Sequence, residues 1–323
     1  MRFSSFIPLG LSAIALAAPT RTIEKRGVLA KRASVTDTPE FGYATENGGT
    51  TGGAGGSTTT VSSLAEFTAA VKGDEAAVVI VGASIKGSQD SVKIGSNKSV
   101  IGKDSSVVLE NLTLTVKNAK NVIIRNLAVQ KVVGGDAIAV QVSQNVWLDH
   151  LDLSSDRDHE KDYYDGLLDL THAADFITVS NTKLHDHWKA SLIGHSDSNG
   201  DEDTGHLHVT YYNNHWANIN SRGPSIRFGT GHFFNNYYDT VSDGINTRQG
   251  AQVLVENNVF VGSKKPLYST DSGFAVATGN DFGDGANAAE AGTLTSVPYK
   301  YNLIEASAVK AAVVGVAGNT LTF

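Results

Sequence analysis

Three acids, one lysine and two arginines supply the residue types from which a site for an anionic ligand can be built. Asp165 and Asp169 stand four apart in DGLLDL (165–170), and even spacing on a strand puts both acids on one face. Asp136, in GGDAIAV, reaches the same face if the chain repeats and stacks its segments. Converging carboxylates repel one another and are driven toward the protonated form unless a cation sits among them, and Ca²⁺ takes oxygen ligands of this kind. Further along come Lys189 in HDHWKASLIG and then Arg222 and Arg227 in NSRGPSIRFG (220–229). Pro224 fixes its own φ and restrains Gly223, which aims the two arginines differently. The order acids, lysine, arginines describes a groove with a bound cation beside fixed cations, suited to an anionic polymer. Taken alone, these residues are equally compatible with separate surface acids and two solvated arginines.

Other chemistries fit less well. GHSDSNG (194–200) begins like a G-x-S-x-G elbow but has Ser198 where the second glycine belongs. There is no H-E-x-x-H and no cysteine, so a thiolate site is impossible. Asp197, Asn199, Asp201 and Asp203 alternate like a calcium loop, yet Glu202 and His208 occupy its glycine and glutamate positions, and a solvated loop is expected. His185 and His187 share a strand face with His195 nearby, but nothing fixes a third zinc ligand, and turn or ladder histidines are expected.

The elements that must position the site repeat. The runs NVIIRN (121–126), NVWLDH (145–150), DFITVSN (175–181), HVTYYNN (208–214), GHFFNN (231–236) and VLVENN (253–258) resemble one another. Their closing residues are spaced by 24, 31, 33, 22 and 22. A period in the low twenties with loop insertions is the sequence form of a solenoid. An all-β, single-domain, right-handed parallel β-helix of six to eight coils is predicted. Asn126, His150, Asn181, Asn214, Asn236 and Asn258 should stack at one bend, where Asn tolerates left-handed backbone. The glycine-rich 45–57 segment should lie extended over the body. Ser62-Ser63-Leu-Ala-Glu66 has capping-box spacing and predicts a short helix to Gly73 that covers one open end. A second helical period spans 305–314.

Residues 1–17 have a basic start, an apolar run and small residues, which read as a secretory signal peptide. The 18–32 segment carries Lys25-Arg26 and Lys31-Arg32 and reads as a propeptide ending in a dibasic site, leaving a catalytic body at 33–323. Removing the six cations and one anion of residues 1–32 takes the net charge from −7 to −12. That surface excludes nucleic acid and anionic membrane as general partners. A secreted, extracellular monomer is expected, with Asn97 and Asn111 as glycosylation acceptors.

Together NVWLDH (145–150), DGLLDL (165–170), HDHWKASLIGHSDSNG (185–200) and RGPSIR (222–227) resemble the pectate lyase family of polysaccharide lyases, as found in fungi. The resemblance spans residues 58–305 and includes an R-x-P-x-x-R motif. It implies calcium-dependent β-elimination of de-esterified homogalacturonan, with polygalacturonate as the partner and Ca²⁺ as the cofactor. It also implies Arg222 as the base, Lys189 and Arg227 as binders of substrate carboxylates, and Asp136, Asp165 and Asp169 as metal ligands. One departure stands out: Gly134 occupies a position where well-known members carry a further carboxylate. The alternatives are a pectin lyase acting on methyl-esterified pectin, a hydrolase using paired carboxylates, and a noncatalytic cell-wall polysaccharide-binding protein.

Overall fold

Strands rich in Val, Ile and aromatic residues have apolar surface on both sides of each turn of chain, and stacking consecutive turns in parallel buries it. In a computed structural model, which describes Met1 and residues 32–323, the body does this throughout. The signal-peptide and propeptide expectations for residues 1–17 and 18–32 lie outside the described residues, Met1 apart.

One sheet has 11 parallel strands, from Ser57–Val61 to Glu290–Ala291. All six repeats recognised in the sequence fall in it, as Lys120–Arg125, Gln144–Asp149, Asp175–Ser180, His208–Tyr212, Thr230–Phe234 and Gln252–Glu256. The coil count exceeds the expected six to eight: Ser57–Val61, Ala77–Val81, Lys98–Gly102 and Glu290–Ala291 have no closing asparagine, and Phe274–Thr278, which closes at Asn280, adds one more. The second sheet has two arms joined by the long strand Val108–Lys117. The first part of that strand pairs with Ala128–Gln130 and its last part with Ile138–Gln141. The result is a parallel β-helix with three faces, and the corner between the two arms runs the length of the stack.

Equivalent residues therefore sit above one another. Trp216, Tyr238, Phe260 and Phe282 form an interior column with successive centroids 5.6, 4.2 and 5.6 Å apart. Each such pair contributes about 0.5–1.5 kcal/mol beyond its area. The asparagine column differs from the expectation by one position. Asn126, His150 and Asn181 are left-handed and align with left-handed Asn213, Asn235 and Asn257. The amide ladder instead runs through Asn214, Asn236, Asn258 and Asn280, with side-chain bonds of 3.0, 2.9 and 2.9 Å. In the paired asparagines, the first makes the bend and the second builds the ladder.

The glycine-rich segment packs directly on sheet backbone. A Cβ on Gly53 would lie 1.9 Å from the Ala77 carbonyl oxygen, so only glycine fits there. The helix Leu64–Ala70 starts with the expected capping box: Ser63 Oγ accepts from Glu66 N–H, and Glu66 accepts from Ser62 N–H at 2.8 Å. Its Phe67 is fully buried in the core with Val61 and Val79. The helix Ala306–Val313 packs Val309 and Val313 on Tyr237 and Val259 outside the coil. Among the described residues no helix is long and apolar enough to cross a membrane.

Candidate active site

Five of the six candidate residues lie at the corner between the two arms of the second sheet, and Arg227 lies at the far end of the adjoining strand. Asp136 precedes the strand Ile138–Gln141, while Asp165 precedes Leu168–Thr171 and Asp169 lies within it. Lys189 ends Lys183–Lys189 just before Ser191–Ile193. Arg222 lies between His215–Ser221 and Ser225–Arg227, and Arg227 ends the latter strand. Backbone bonds from Ala137 N–H to Gly166 O, Leu167 N–H to Ala190 O and Ala190 N–H to Ser221 O step across successive coils. Lys189 is paired in register with Ser221, so Arg222 stands one coil above and one residue beyond the lysine.

Asp136 and Asp169 meet at Gly166. The Gly166 N–H donates to Asp136 Oδ1 at 2.8 Å, and Asp169 Oδ1 accepts from Leu192 N–H at 3.2 Å. A Cβ on Gly166 would stand 2.8 Å from the Asp136 oxygen and 2.6 Å from that of Asp169, so glycine leaves room for both carboxylates. Burial pushes Asp136 up to about 6, with the Gly166 N–H opposing and Asp165 adding to the rise. Burial, then the charge of Asp136, raises Asp169 well above the usual carboxylate range. Two half-buried acids disfavouring their own charge, with all-oxygen donors, are the setting in which a hard divalent cation is stabilised. Asp165 turns elsewhere: its Oδ1 accepts from Lys189 Nζ at 3.1 Å. Among the described residues no three acidic or histidine side chains converge as a ready-made metal cluster.

The cations are held unequally. Lys189 Nζ also donates to Asp162 Oδ1 at 2.7 Å. Burial works against its charge, but Asp162 and Asp165 outweigh it and the lysine is raised. Beneath it, burial and then Lys189 lower His187 to about 4, so its imidazole is neutral and Nδ1 accepts the Lys189 N–H at 3.0 Å. Arg227 pairs through Nε with Asp197 and donates from Nη1 to Gly194 O at 2.8 Å. Arg248, the register partner of Arg227, shares Asp197 at 3.2 Å and binds Asp271 at 2.9 Å. Arg222, by contrast, has no carboxylate within ion-pair distance among the described residues. It borders a hollow of about 420 Å³ lined also by Ser225, Asn246, Arg248, Tyr268 and Thr270.

The family model for pectate lyases matches residues 16–321. The chain belongs to the pectate lyase family. A protein described as probable pectate lyase A from Aspergillus flavus is 66% identical over 325 residues, covering 99% of each chain. Pectate lyase A from Aspergillus niger is likewise 66% identical, covering 95% of this chain and 94% of its own. A crystal structure of a Bacillus sp. N165 pectate lyase in complex with trigalacturonate superposes with a TM-score of 0.78. It is 33% identical and covers 87% of this chain and 98% of the other.

The sequence order acids, lysine, arginines is also their spatial order along the stack. Sequence reasoning missed Asp162, Asp197, Arg248 and Asp271. Asp197 lies in the exposed loop expected there, yet it clamps two arginines. Asp203 is buried, with Oδ1 accepting the Ala173 N–H at 2.7 Å. Arg248 was findable, because it stands one repeat period after Arg227. The histidines serve local packing: His185 bridges Asp152 and Asp186, and His195 stacks on His172 at 4.1 Å.

Proposed function

We propose that the protein is a secreted, calcium-dependent lyase that cleaves de-esterified homogalacturonan by β-elimination, with Arg222 as the base. One observation carries the assignment of the base. Of the groove cations Lys189, Arg222, Arg227 and Arg248, Arg222 alone lacks a carboxylate partner among the described residues. A carboxylate fixed on a guanidinium stabilises its charge and blocks proton uptake, so a basic arginine has to be free of a fixed ion-pair partner. Arg222 receives the C5 proton, the bond from C4 to its glycosidic oxygen breaks, and a C4–C5 double bond remains. The leaving oxygen takes a proton from solvent.

Lys189 and Arg227 orient the chain by its carboxylates, and their fixed acids keep both side chains in place before substrate arrives. Asp136 and Asp169, with Asp165 recruited from Lys189, would hold Ca²⁺. When bound, the cation stabilises the charge that develops on the uronate carboxylate. Gly134 leaves this set one carboxylate short of the fuller family pattern.

Removal of residues 1–17 as a signal and of 18–32 at the dibasic site would leave Ala33 first. The described chain joins the body from this point, with the Arg32 guanidinium donating to Phe323 O and the Ala33 N–H to Thr322 O at 3.3 Å. All groove residues come from one chain, consistent with a monomer acting on polygalacturonate. Of the glycosylation candidates, Asn97 spends its Nδ2 on Asp74 O, whereas Asn111 uses Oδ1 to accept from Val133 N–H. Asn111 is therefore the better acceptor.

The test is unsaturated product followed by ultraviolet absorbance, from polygalacturonate and from methylated pectin, each with Ca²⁺ or chelator. Product from polygalacturonate that vanishes with chelator supports the reading. Chelator-insensitive product from methylated pectin points to a pectin lyase, and retention without chain cleavage to a binding protein.

A further inference from the structure

A groove cation already neutralised by the protein has to change partners before it can hold an anionic ligand. Lys189 is in that state. Its side chain is only 8% exposed, and its ammonium is shared between Asp162 and Asp165. The two acids are not equivalent. Asp165 begins the metal-side coil, whereas Asp162 is 81% exposed and its side chain bonds nothing but Lys189 among the described residues.

The loop that carries Asp162 is fastened on both sides of it. Upstream, the Trp188 indole N–H donates to His159 O at 2.9 Å, and Arg157 lies 4.5 Å over the Trp188 ring. Downstream, Gly134 N–H donates to Tyr163 O at 2.9 Å and Val133 bridges Tyr164. The backbone is thus anchored independently of the ion pair, and the Asp162 carboxylate can leave Lys189 by side-chain rotation alone.

We propose that Asp162 is a displaceable counter-ion, holding Lys189 in place in the empty groove and yielding it to a uronate carboxylate. This rests on the reading that Lys189 binds substrate. Asp162 and a uronate offer the same acceptor, so exchange is one for one, and the incoming sugar gains less than it would from an uncompensated lysine. Asp162 is a positioning residue that lowers ground-state affinity and speeds release of the anionic product.

The experiment is calorimetric binding of trigalacturonate to the full chain at fixed Ca²⁺, with melting temperature recorded for each variant. Asp162→Asn is compared with Glu160→Gln, an exposed loop acid that removes the same charge without touching Lys189, and with Lys189→Ala. The expectation for Asp162→Asn is binding about 3- to 10-fold tighter, as fits the release of one exposed ion pair. Its kcat should stay within about twofold and its KM should fall, with Glu160→Gln unchanged and Lys189→Ala weaker. Unchanged or weaker binding by Asp162→Asn beside a weakened Lys189→Ala overturns the counter-ion role and leaves the reading of Lys189 standing. Equal tightening in Glu160→Gln reduces the effect to net charge and also overturns it. Wild-type binding by Lys189→Ala removes the reading of Lys189, and the counter-ion role with it.

Discussion

Asp136 and Asp169 each bring a carboxylate oxygen to within 3 Å of the point where a side chain on Gly166 would begin. Sequence places them on different coils, and the parallel register brings them together: Asp169 pairs with Ala139, three residues beyond Asp136. The glycine between them is as much a part of the site as the acids.

Gly166→Ala should therefore damage the site through crowding. The added methyl meets two carboxylates, and overpacking of this kind costs about 1–3 kcal/mol. The expected result is a melting temperature lowered by several degrees and a calcium half-saturation raised about tenfold or more. Thermal unfolding across a Ca²⁺ titration measures both.

The same pair predicts a pH dependence for the metal-free protein. Burial holds Asp136 up to about 6 in the native state, above its unfolded value near 4. The native form thus keeps a proton that the unfolded form releases, so its contribution to stability is present below about pH 4 and is lost as pH rises through about 6. Relative to Asp136→Asn, metal-free wild type should lose stability between pH 4 and 7, and Ca²⁺ should restore it. Paired thermal melts with chelator and with Ca²⁺ follow the effect.

Asn236 anchors the ladder. It accepts from the Asn214 N–H and side chain at 3.0 Å and donates to Tyr211 O and Asn258 Oδ1 at 2.9 Å. Asn236→Ala strands several fully buried partners, at about 1–3 kcal/mol each. The loss should be roughly 3 kcal/mol or more by denaturant unfolding, and any protein that folds should keep its calcium response.

Asp197→Asn should release Arg227 and Arg248 from their shared anchor. With less preorganised arginines, KM for polygalacturonate should rise about 3- to 10-fold while kcat changes little. Initial rates over a substrate series separate the two parameters.

The fold was legible because a parallel solenoid writes its period into the chain: six runs with polar closures fall in one sheet of the structure. The coil count was less legible, because terminal turns such as Ser57–Val61 close without asparagine. The one-residue offset between Asn213 and Asn214 was hidden because bend and ladder positions both favour the same amino acid. At the site, Asp136, Asp169, Lys189, Arg222 and Arg227 were visible through short motifs fixed to the repeat. Asp162 and Asp197 sit in insertions outside the repeat, where spacing does not specify which cation a side chain reaches. Asp165 shows the same limit: its coil follows from sequence, but its turn toward Lys189 depends on side-chain geometry.

Arg222 as the base is the central assignment. The direct measurement compares wild type and Arg222→Lys for unsaturated product from polygalacturonate with Ca²⁺, alongside trigalacturonate binding by calorimetry. The expected outcome is turnover lower by at least about 10³-fold, in the range seen for loss of a general base, with binding within a few-fold of wild type. Substantial turnover by Arg222→Lys with intact binding contradicts the account and assigns proton removal to another group.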